Sequence, residues 1–195
     1  MSREDVGMAW VDDFRQDVQR HVRVDHKPAL YEILTKQGLW ALLQYRMAAA
    51  IHRGALPAAV KKSLLLAMAA AKKGVEITTG ISIPHTAHIG PGLYIPHFGT
   101  IVIHGDAVIG RDCIVSHGVT VGAAGRGARF GVPVIGDNVY VAPNAVVVGK
   151  IVVGDNAIIG ANSTVNRDVA ARTTVAGVPA TVLNHRGHVE TDDVA

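Results

Sequence analysis

The feature of this sequence that most constrains its fold is a repeat with a period of six residues, which begins after Gly74. One position of each hexad is Ile or Val, the next is often glycine or another small residue, and the position four residues later is small or β-branched. The aliphatic positions are Ile77, Ile83, Ile89, Ile95, Ile103, Ile109, Val115, Val121, Ile135, Val141, Val147, Val153, Ile159 and Val165. Each such hexad forms one short strand and one turn of a parallel β-helix. The sequence therefore predicts a mainly β protein built on a solenoid of hexapeptide repeats.

The composition agrees with a thin, repetitive core. Of the 195 residues, 49% are hydrophobic but only 5% are aromatic, and 21 are glycine. Val, Ile and Ala must therefore fill the interior, as they do in solenoid proteins. Glycine with Asn or Asp supplies the tight corners, as in the GDN segments at 136–138 and 154–156. A chain of this length accommodates one such domain with a helical addition.

The chain before residue 74 follows a helical period instead. Between residues 4 and 22 an apolar side chain recurs at every fourth position, and the residues between are largely charged. Pro28 begins a second predicted helix that ends near Gly54, and Pro57 begins a third that ends at Lys73. We expect these helices to serve packing and assembly.

The predicted organisation has three parts. They are an N-terminal α-helical region at 1–74, a β-helix domain at 75–183 and a C-terminal tail at 184–195. A loop at 122–134 is expected to protrude from the β-helix, because the six-residue register is interrupted there.

Charge and cysteine usage exclude several classes of function. The formal net charge is only +3 and no dense block of Lys and Arg is present, which argues against nucleic-acid binding. The single Cys113 excludes an intrachain disulfide, and the charged N-terminus lacks the apolar core of a signal peptide, so a cytoplasmic location is expected. The longest apolar run, at 64–71, is too short to span a bilayer, and membrane association is not expected.

Hexapeptide sequences of this kind resemble the left-handed β-helix acyltransferases. In that group three hexads form one triangular coil. The resemblance, and not the period itself, implies the left-handed sense of the solenoid, since parallel crossovers are otherwise right-handed.

Two breaks in the period mark a candidate site, because a solenoid has no reason of its own to break register. The step after Ile95 is eight residues long, and the step after Val121 is fourteen and includes AAGRGARFG. The first break lengthens an eighteen-residue coil to twenty residues. His97 and His117 should therefore occupy equivalent corners of successive coils, about 5 Å apart.

Three segments resemble the serine acetyltransferase family more closely, namely LYIPHFGTIVIHGDAVIG at 93–110, GVTVGAAGRGARFGVPVIG at 118–136 and AGVPA at 176–180. The similarity covers nearly the whole chain. It implies an O-acetyltransferase that uses acetyl-CoA as acyl donor, with His97 as general base and direct transfer. It also implies a homotrimer with sites between adjacent β-helices, in which the N-terminal helices can join two trimers.

The chemistry suits a histidine. An alcohol is a poor nucleophile at neutral pH, and a neutral imidazole can take its proton as it attacks the acetyl thioester. Backbone amides near the loop would stabilise the oxyanion, and the pantetheine arm would follow small side chains between coils. On these grounds the predicted coenzyme-binding residues are Gly122, Ala123, Arg126, Ala142, Gly160 and Ala161.

His117 is the second candidate catalytic residue. Stacked on His97, it would contact the acceptor, hold a water or act on its neighbour through its charge. His104 is expected at the surface, and Cys113 falls at an inward position that favours a buried thiol. No metal is expected.

The sequence departs from the serine acetyltransferase pattern around the acceptor. Ser82 stands where the family has an aspartate that orients the catalytic histidine, and Glu76, one hexad earlier, is the alternative orienting group. The positions that hold the two ends of serine in the family are here Pro96, Gly105, Gly131 and Val132. We therefore prefer a saccharide or another small-molecule hydroxyl as acceptor. The alternative is the serine O-acetyltransferase of cysteine biosynthesis.

Two other classes share a β-helix of this kind. A γ-type carbonic anhydrase binds a metal through three histidines, but it needs a pair five residues apart, and Gly122 stands five residues after His117. A noncatalytic trimeric scaffold is the third possibility. The presence of His97, the loop and the AGVPA segment argues against it.

Overall fold

Four α-helices precede the β-helix in the computed structural model, which describes residues 3–188, with side chains from residue 9 onwards. The helices are α1 (Arg3–Asp25), α2 (Ala29–Thr35), α3 (Gln37–Arg53) and α4 (Ala58–Thr79). The tail beyond residue 188 and the first side chains of the predicted first helix lie outside this described part. None of the helices within residues 3–188 is both long and apolar enough to cross a membrane.

The predicted second helix is in fact two helices, α2 and α3, because the backbone of Lys36 is extended. The Trp40 indole N–H donates to the carbonyl of Ile33 at 2.8 Å. This bond satisfies one of the carbonyl groups in the last turn of α2, which have no partner within the helix. The start of α3 lies close to the β-helix, since a Cβ on Gly38 would stand 2.6 Å from the carbonyl oxygen of Ile95. Tertiary contact therefore determines the break between α2 and α3, because the residue at the break, Lys36, is neither proline nor glycine.

The boundary predicted at residues 74 and 75 falls inside α4, which continues to Thr79. Ile77, predicted as the first inward residue of the solenoid, lies on this helix and is 83% exposed. Gly80 ends the helix with a left-handed backbone (φ 70°), which glycine adopts without strain. The β-helix therefore begins at Ile81.

Fourteen strands follow within the described part of the chain, and all but the last pairing are parallel. Their bounds are β1 Ile81–Ser82, β2 His88–Ile89, β3 Ile101–Ile103, β4 Val108–Ile109, β5 Ile114–Val115, β6 Thr120–Gly122, β7 Val134–Ile135, β8 Tyr140–Val141, β9 Val146–Val148, β10 Val152–Val153, β11 Ile158–Ile159, β12 Thr164–Val165, β13 Thr174–Gly177 and β14 Ala180–Asn184. They form three sheets, with the orders β1-β3-β6-β9-β12, β10-β7-β4-β2 and β14-β13-β11-β8-β5. Only β13 and β14 pair antiparallel. The predicted β-helix of hexapeptide repeats is confirmed.

The core lies inside the three sheets. The predicted aliphatic positions from Ile83 to Val165 are all buried, and the small residues four positions later, such as Ala107 and Ala145, are fully buried beside them. Each such Val or Ile contributes about 1.5–3 kcal/mol by leaving water. Asn138 and Asn156 occupy left-handed corners (φ 52° and 59°), as the GDN segments predicted.

A buried ion pair joins the helices to the first coil. Arg46 donates to both carboxylate oxygens of Asp17 at 2.9 and 3.0 Å. The same guanidinium donates to the carbonyls of Ile89 and Gly90, each at 2.7 Å. Asp17 also accepts the backbone N–H of Leu93 at 3.0 Å. The helical region thereby fixes the backbone just before His97.

Candidate active site

His97 and His117 lie at the same corner of successive coils, as predicted. Tyr94 bridges Ile114 in parallel register, and the N–H of Val115 donates to the carbonyl of Tyr94 at 3.0 Å. The two imidazole ring centres are 6.0 Å apart and the ring planes are inclined by 72°. The eight-residue step in the repeat therefore displaces the backbone without removing the histidines from one column.

The loop that carries His97 is held against the end of α4. The N–H of Gly99 donates to the carbonyl of Thr79 at 3.0 Å, and Gly99 has a positive φ of 124°. A Cβ on Gly99 would lie 3.5 Å from the Cβ of His117, so the loop passes directly over the second histidine. The His97 side chain is exposed, and among residues 3–188 neither of its ring nitrogens has a hydrogen-bond partner. Its nitrogens are free to meet a substrate.

His117 is half-buried and presents an unusual polar atom. Its Nδ1 is out of contact with solvent and has no hydrogen-bond partner within the described chain. A buried ring nitrogen without a partner costs about 1–3 kcal/mol, so such an atom calls for a partner in the working complex. The corner itself is well fixed, since the N–H of Asn144 donates to the carbonyl of His117 at 3.0 Å.

The helical region also supports the segment that leads to His97. The Tyr94 hydroxyl donates to Asp25 at 2.6 Å, and burial with this carboxylate raises the pKa of the Tyr94 phenol. The His21 ring lies edge-on to Tyr94, and its Nε2 lies 3.4 Å from the carbonyl oxygen of Ile95. Residues 93–95 are thus held from the helix side, which positions His97 two residues further on.

Ser82 and Glu76, which the sequence presented as alternatives, form one pair. The Ser82 hydroxyl donates to Glu76 Oε1 at 2.7 Å. Lys73 and Lys72 bind the same carboxylate at 2.6 and 3.1 Å, and these contacts, led by Lys73, lower the pKa of Glu76 to about 2. The prediction placed Glu76 in the solenoid, one hexad before Ser82, whereas the structure places it on α4. No described hydrogen bond joins either residue to His97.

The predicted coenzyme-binding residues fall at two corners. Ala161 lies in the column of His117, and Ala142 and Gly160 lie one residue earlier, in the column of Ser116, because β5, β8 and β11 pair in register. Gly160 has a packing reason to be glycine, since a Cβ there would lie 2.8 Å from the Cβ of Ala176. Ala161 is exposed at the same corner. This corner presents small side chains beside the histidine pair.

Gly122, Ala123 and Arg126 lie at the next corner, at the far end of β6. Gly122 ends the extended strand β6 (Thr120–Gly122), whereas His117 precedes this strand, so the two residues lie at opposite ends of one face of the solenoid. The loop is closed by a bridge between Ala124 and Gly131 and contains a short 3-10 helix, η1 (Gly127–Arg129). One chain therefore does not bring the two groups of predicted residues to a single point.

The other two side chains discussed from the sequence, His104 and Cys113, make contacts within the fold. His104 accepts the N–H of Asp106 through Nδ1 at 3.1 Å and is partly exposed. The Cys113 thiol is fully buried and donates to the carbonyl of Gly136 at 3.2 Å, and burial raises its pKa to about 12. No three His, Cys, Asp or Glu side chains within residues 3–188 lie together in a way that could hold a metal ion.

Sequence patterns missed two cations, Lys150 and Arg167, which line an open cleft beside the loop together with Arg129. The spacing of the repeat could have indicated this cleft. Val153 bridges Val169, sixteen residues later, whereas the preceding pair, Ile135 and Val153, is eighteen apart. The shortened coil at 166–168 is a third break in the repeat.

The fold and this corner define the chain as a hexapeptide-repeat protein of the left-handed parallel β-helix class. The family described as "Bacterial transferase hexapeptide (six repeats)" matches residues 133–167. A serine acetyltransferase of Synechococcus elongatus is 35% identical over 155 residues, which cover 80% of this chain and 60% of that protein. A serine acetyltransferase of Helicobacter pylori is 36% identical over 151 residues, covering 77% of this chain and 84% of that protein.

Solved structures extend the similarity to the helices. Serine acetyltransferase of Neisseria gonorrhoeae in complex with serine superimposes with a TM-score of 0.78 at 26% identity, over 93% of this chain and 72% of that one. A serine acetyltransferase in complex with CoA gives a TM-score of 0.78 at 27% identity, with the same coverage. The chain belongs to the serine acetyltransferase family.

Proposed function

We propose that this protein transfers an acetyl group from acetyl-CoA to a hydroxyl, with His97 as the general base. The observation that carries the proposal is the exposed imidazole of His97, which makes no hydrogen bond to the described part of the chain and is held at a lengthened corner beside His117. Membership of a family whose members are named serine acetyltransferases supports the same chemistry.

The reaction is a direct transfer. The acceptor hydroxyl attacks the thioester carbonyl while its proton passes to the imidazole of His97. The C–S bond then breaks, and the thiolate of coenzyme A takes the proton from the imidazolium, which restores the neutral base. The one thiol of the chain, Cys113, is buried with a raised pKa and is unsuited to carry the acetyl group.

Serine is the acceptor that the relatives support best. Both relatives described above are named serine acetyltransferases, and the structure from Neisseria gonorrhoeae was solved in complex with serine. The comparisons thus favour serine over the saccharide that the sequence led us to prefer. One observation still favours another hydroxyl as the second candidate, because Pro96, Gly105, Gly131 and Val132 offer no charged side chain for an amino acid's ends.

A homotrimer would complete the site. The corner that holds His97, His117 and Ala161 and the corner of Gly122 and Arg126 lie at opposite ends of β6 in one chain. Neighbouring β-helices around a threefold axis can bring the two kinds of corner together. The proposal therefore includes a homotrimer, two of which can pair through the N-terminal helices. It also includes a cytoplasmic location.

The test is release of thiol from acetyl-CoA with serine, amino sugars, nucleotide sugars and oligosaccharides as acceptors. We expect turnover with serine and a loss of roughly 10²–10⁴-fold in kcat for His97→Gln, since that is the usual contribution of a general base. His104→Gln is the matched control, because His104 is a partly exposed histidine at another corner. Equal turnover of the two variants would refute His97 as the base, and activity on a saccharide alone would replace serine as the acceptor.

A further inference from the structure

A cleft of about 610 Å³ opens beside the loop, away from the histidine column. Residues of three segments line it: the loop between residues 124 and 129, the corner at 148–151 and the corner at 166–168. Its volume is in the range of small-molecule sites. The cleft follows β6, whereas His117 precedes that strand, so the two lie at opposite ends of one face of the solenoid.

The loop that forms one wall has a defined shape. Ala124 and Gly131 exchange two backbone hydrogen bonds, each 3.1 Å long. Gly125 has a positive φ of 103°, and any side chain there would collide with the carbonyl of Arg129. Gly149 on the opposite wall also has a positive φ, of 99°. Ala124, Gly125, Ala128 and Gly149 keep part of the wall free of long side chains, which lets a ligand approach the main chain closely there.

The charged side chains that line the cleft are mostly cationic. Arg129, Lys150 and Arg167 line the cleft with one carboxylate, Asp168, which already accepts the N–H of Val152 at 2.8 Å. Across residues 3–188 none of these three cations has an ion pair or hydrogen bond to another side chain. This differs from Lys72 and Lys73, which both form ion pairs with Glu76. The cleft therefore holds three positive charges against one negative charge.

We propose that this cleft binds the diphosphate end of a substrate through Arg129, Lys150 and Arg167. Arginine and lysine bind phosphate oxygens through charge-assisted hydrogen bonds, and several cations around one concave wall favour a multiply charged anion over a single carboxylate. Two substrates of the proposed reaction carry a diphosphate: coenzyme A, at the far end of its pantetheine arm, and a nucleotide-linked sugar acceptor. The proposal names the shared chemistry and rests on the transferase activity proposed above.

The placement suits such a role. A reacting group at the histidines and an anion in the cleft would be separated by one face of the solenoid, or would meet across two neighbouring chains. In either arrangement the cations hold a part of the substrate that does not react. Their loss should weaken binding and leave the bond-making step at His97 in place.

The test begins with inorganic pyrophosphate as the probe, titrated calorimetrically into the wild-type protein, the double variant Lys150→Gln/Arg167→Gln and the control Lys62→Gln. Glutamine keeps the aliphatic stems, and Lys62 is an exposed lysine of α4 outside the cleft. We expect the double variant to bind pyrophosphate at least about tenfold more weakly and the control to match the wild type. Wild-type binding should also weaken as salt rises, a result that needs no variant.

Kinetics then identify the source of the diphosphate. An increase in KM for acetyl-CoA, with none for S-acetylpantetheine, assigns the cleft to the donor. An increase in KM for a nucleotide sugar alone assigns it to the acceptor. Pyrophosphate affinity that is absent in the wild type, or equal in the wild type and the double variant, overturns the proposal. Pyrophosphate binding without thiol release on any acceptor would uphold the anion site and overturn the transferase function.

Discussion

Removing the guanidinium of Arg46 should destabilise the protein strongly, because this side chain is buried and binds Asp17 and two backbone carbonyls. Arg46→Met keeps much of the volume but leaves the Asp17 carboxylate fully buried without its partner. A buried charge that loses its partner costs about 3–5 kcal/mol. The carbonyls of Ile89 and Gly90 also lose their donor, which adds about 1 kcal/mol each. The expected loss is about 5–7 kcal/mol, a large share of the stability of an ordinary domain.

Urea unfolding, followed by circular dichroism at one fixed chain concentration, measures this loss. Urea is preferable to guanidinium because it does not screen charges. Arg53→Met is the control, since Arg53 also donates to a carbonyl of the first coil, that of Ala87 at 2.6 Å, but is itself exposed. We expect a cost of about 1 kcal/mol or less for the control. Similar losses in the two variants would refute the idea that a buried pair holds the helices on the β-helix.

Three further predictions concern other sites. Glu76→Gln should lower the free energy of unfolding by about 1–2 kcal/mol at pH 7, after allowance for exposure of the lysines. Because the pKa of Glu76 is about 2 in the folded state and 4.5 in the unfolded state, the difference from wild type should vanish as the pH falls from 5 towards 2 in unfolding experiments. A difference that does not depend on pH would contradict this. Cys113 should react with a thiol reagent only on unfolding, since it is buried with a pKa of about 12, and rapid labelling of the native protein would disprove that placement. Gly38→Ala should lower the melting temperature, because its Cβ would stand 2.6 Å from the carbonyl oxygen of Ile95, whereas Gly74→Ala, with no atom within 4 Å, should not.

The solenoid could be predicted from the sequence because its signal is local and repeated. Each hexad sets its own inward residue, so an error at one place does not spread to the next. Ile77 was misplaced because the six-residue count was extended one step back into α4, and a single aliphatic residue does not distinguish a helix from a strand. Gly80, with its left-handed backbone, marks the true end of α4, and a glycine after a helical run is a recognised stop signal.

Arithmetic on the repeat also brought His97 and His117 together, since the register alone determines which corners coincide. The same arithmetic could not find the contact between Asp17 and Arg46 or that between Tyr94 and Asp25, because these pairs join a helix to a residue far along the chain. No spacing in the sequence encodes such meetings. They depend on how the helical region docks on the first coil, which is a property of the folded surface.

The two ends of the β-helix are closed by different means. At the start, hydrogen bonds to the backbone of the first coil, between Ile89 and Ile95, come from the side chains of Asp17, His21 and Arg46. At the other end β14 runs antiparallel along β13 and interrupts the parallel stacking. An open stack of strands invites another chain to add to it, and solenoids need terminal caps for that reason. A chain shortened to begin at Ile81 would therefore expose an unpaired edge just before His97 and should associate end to end.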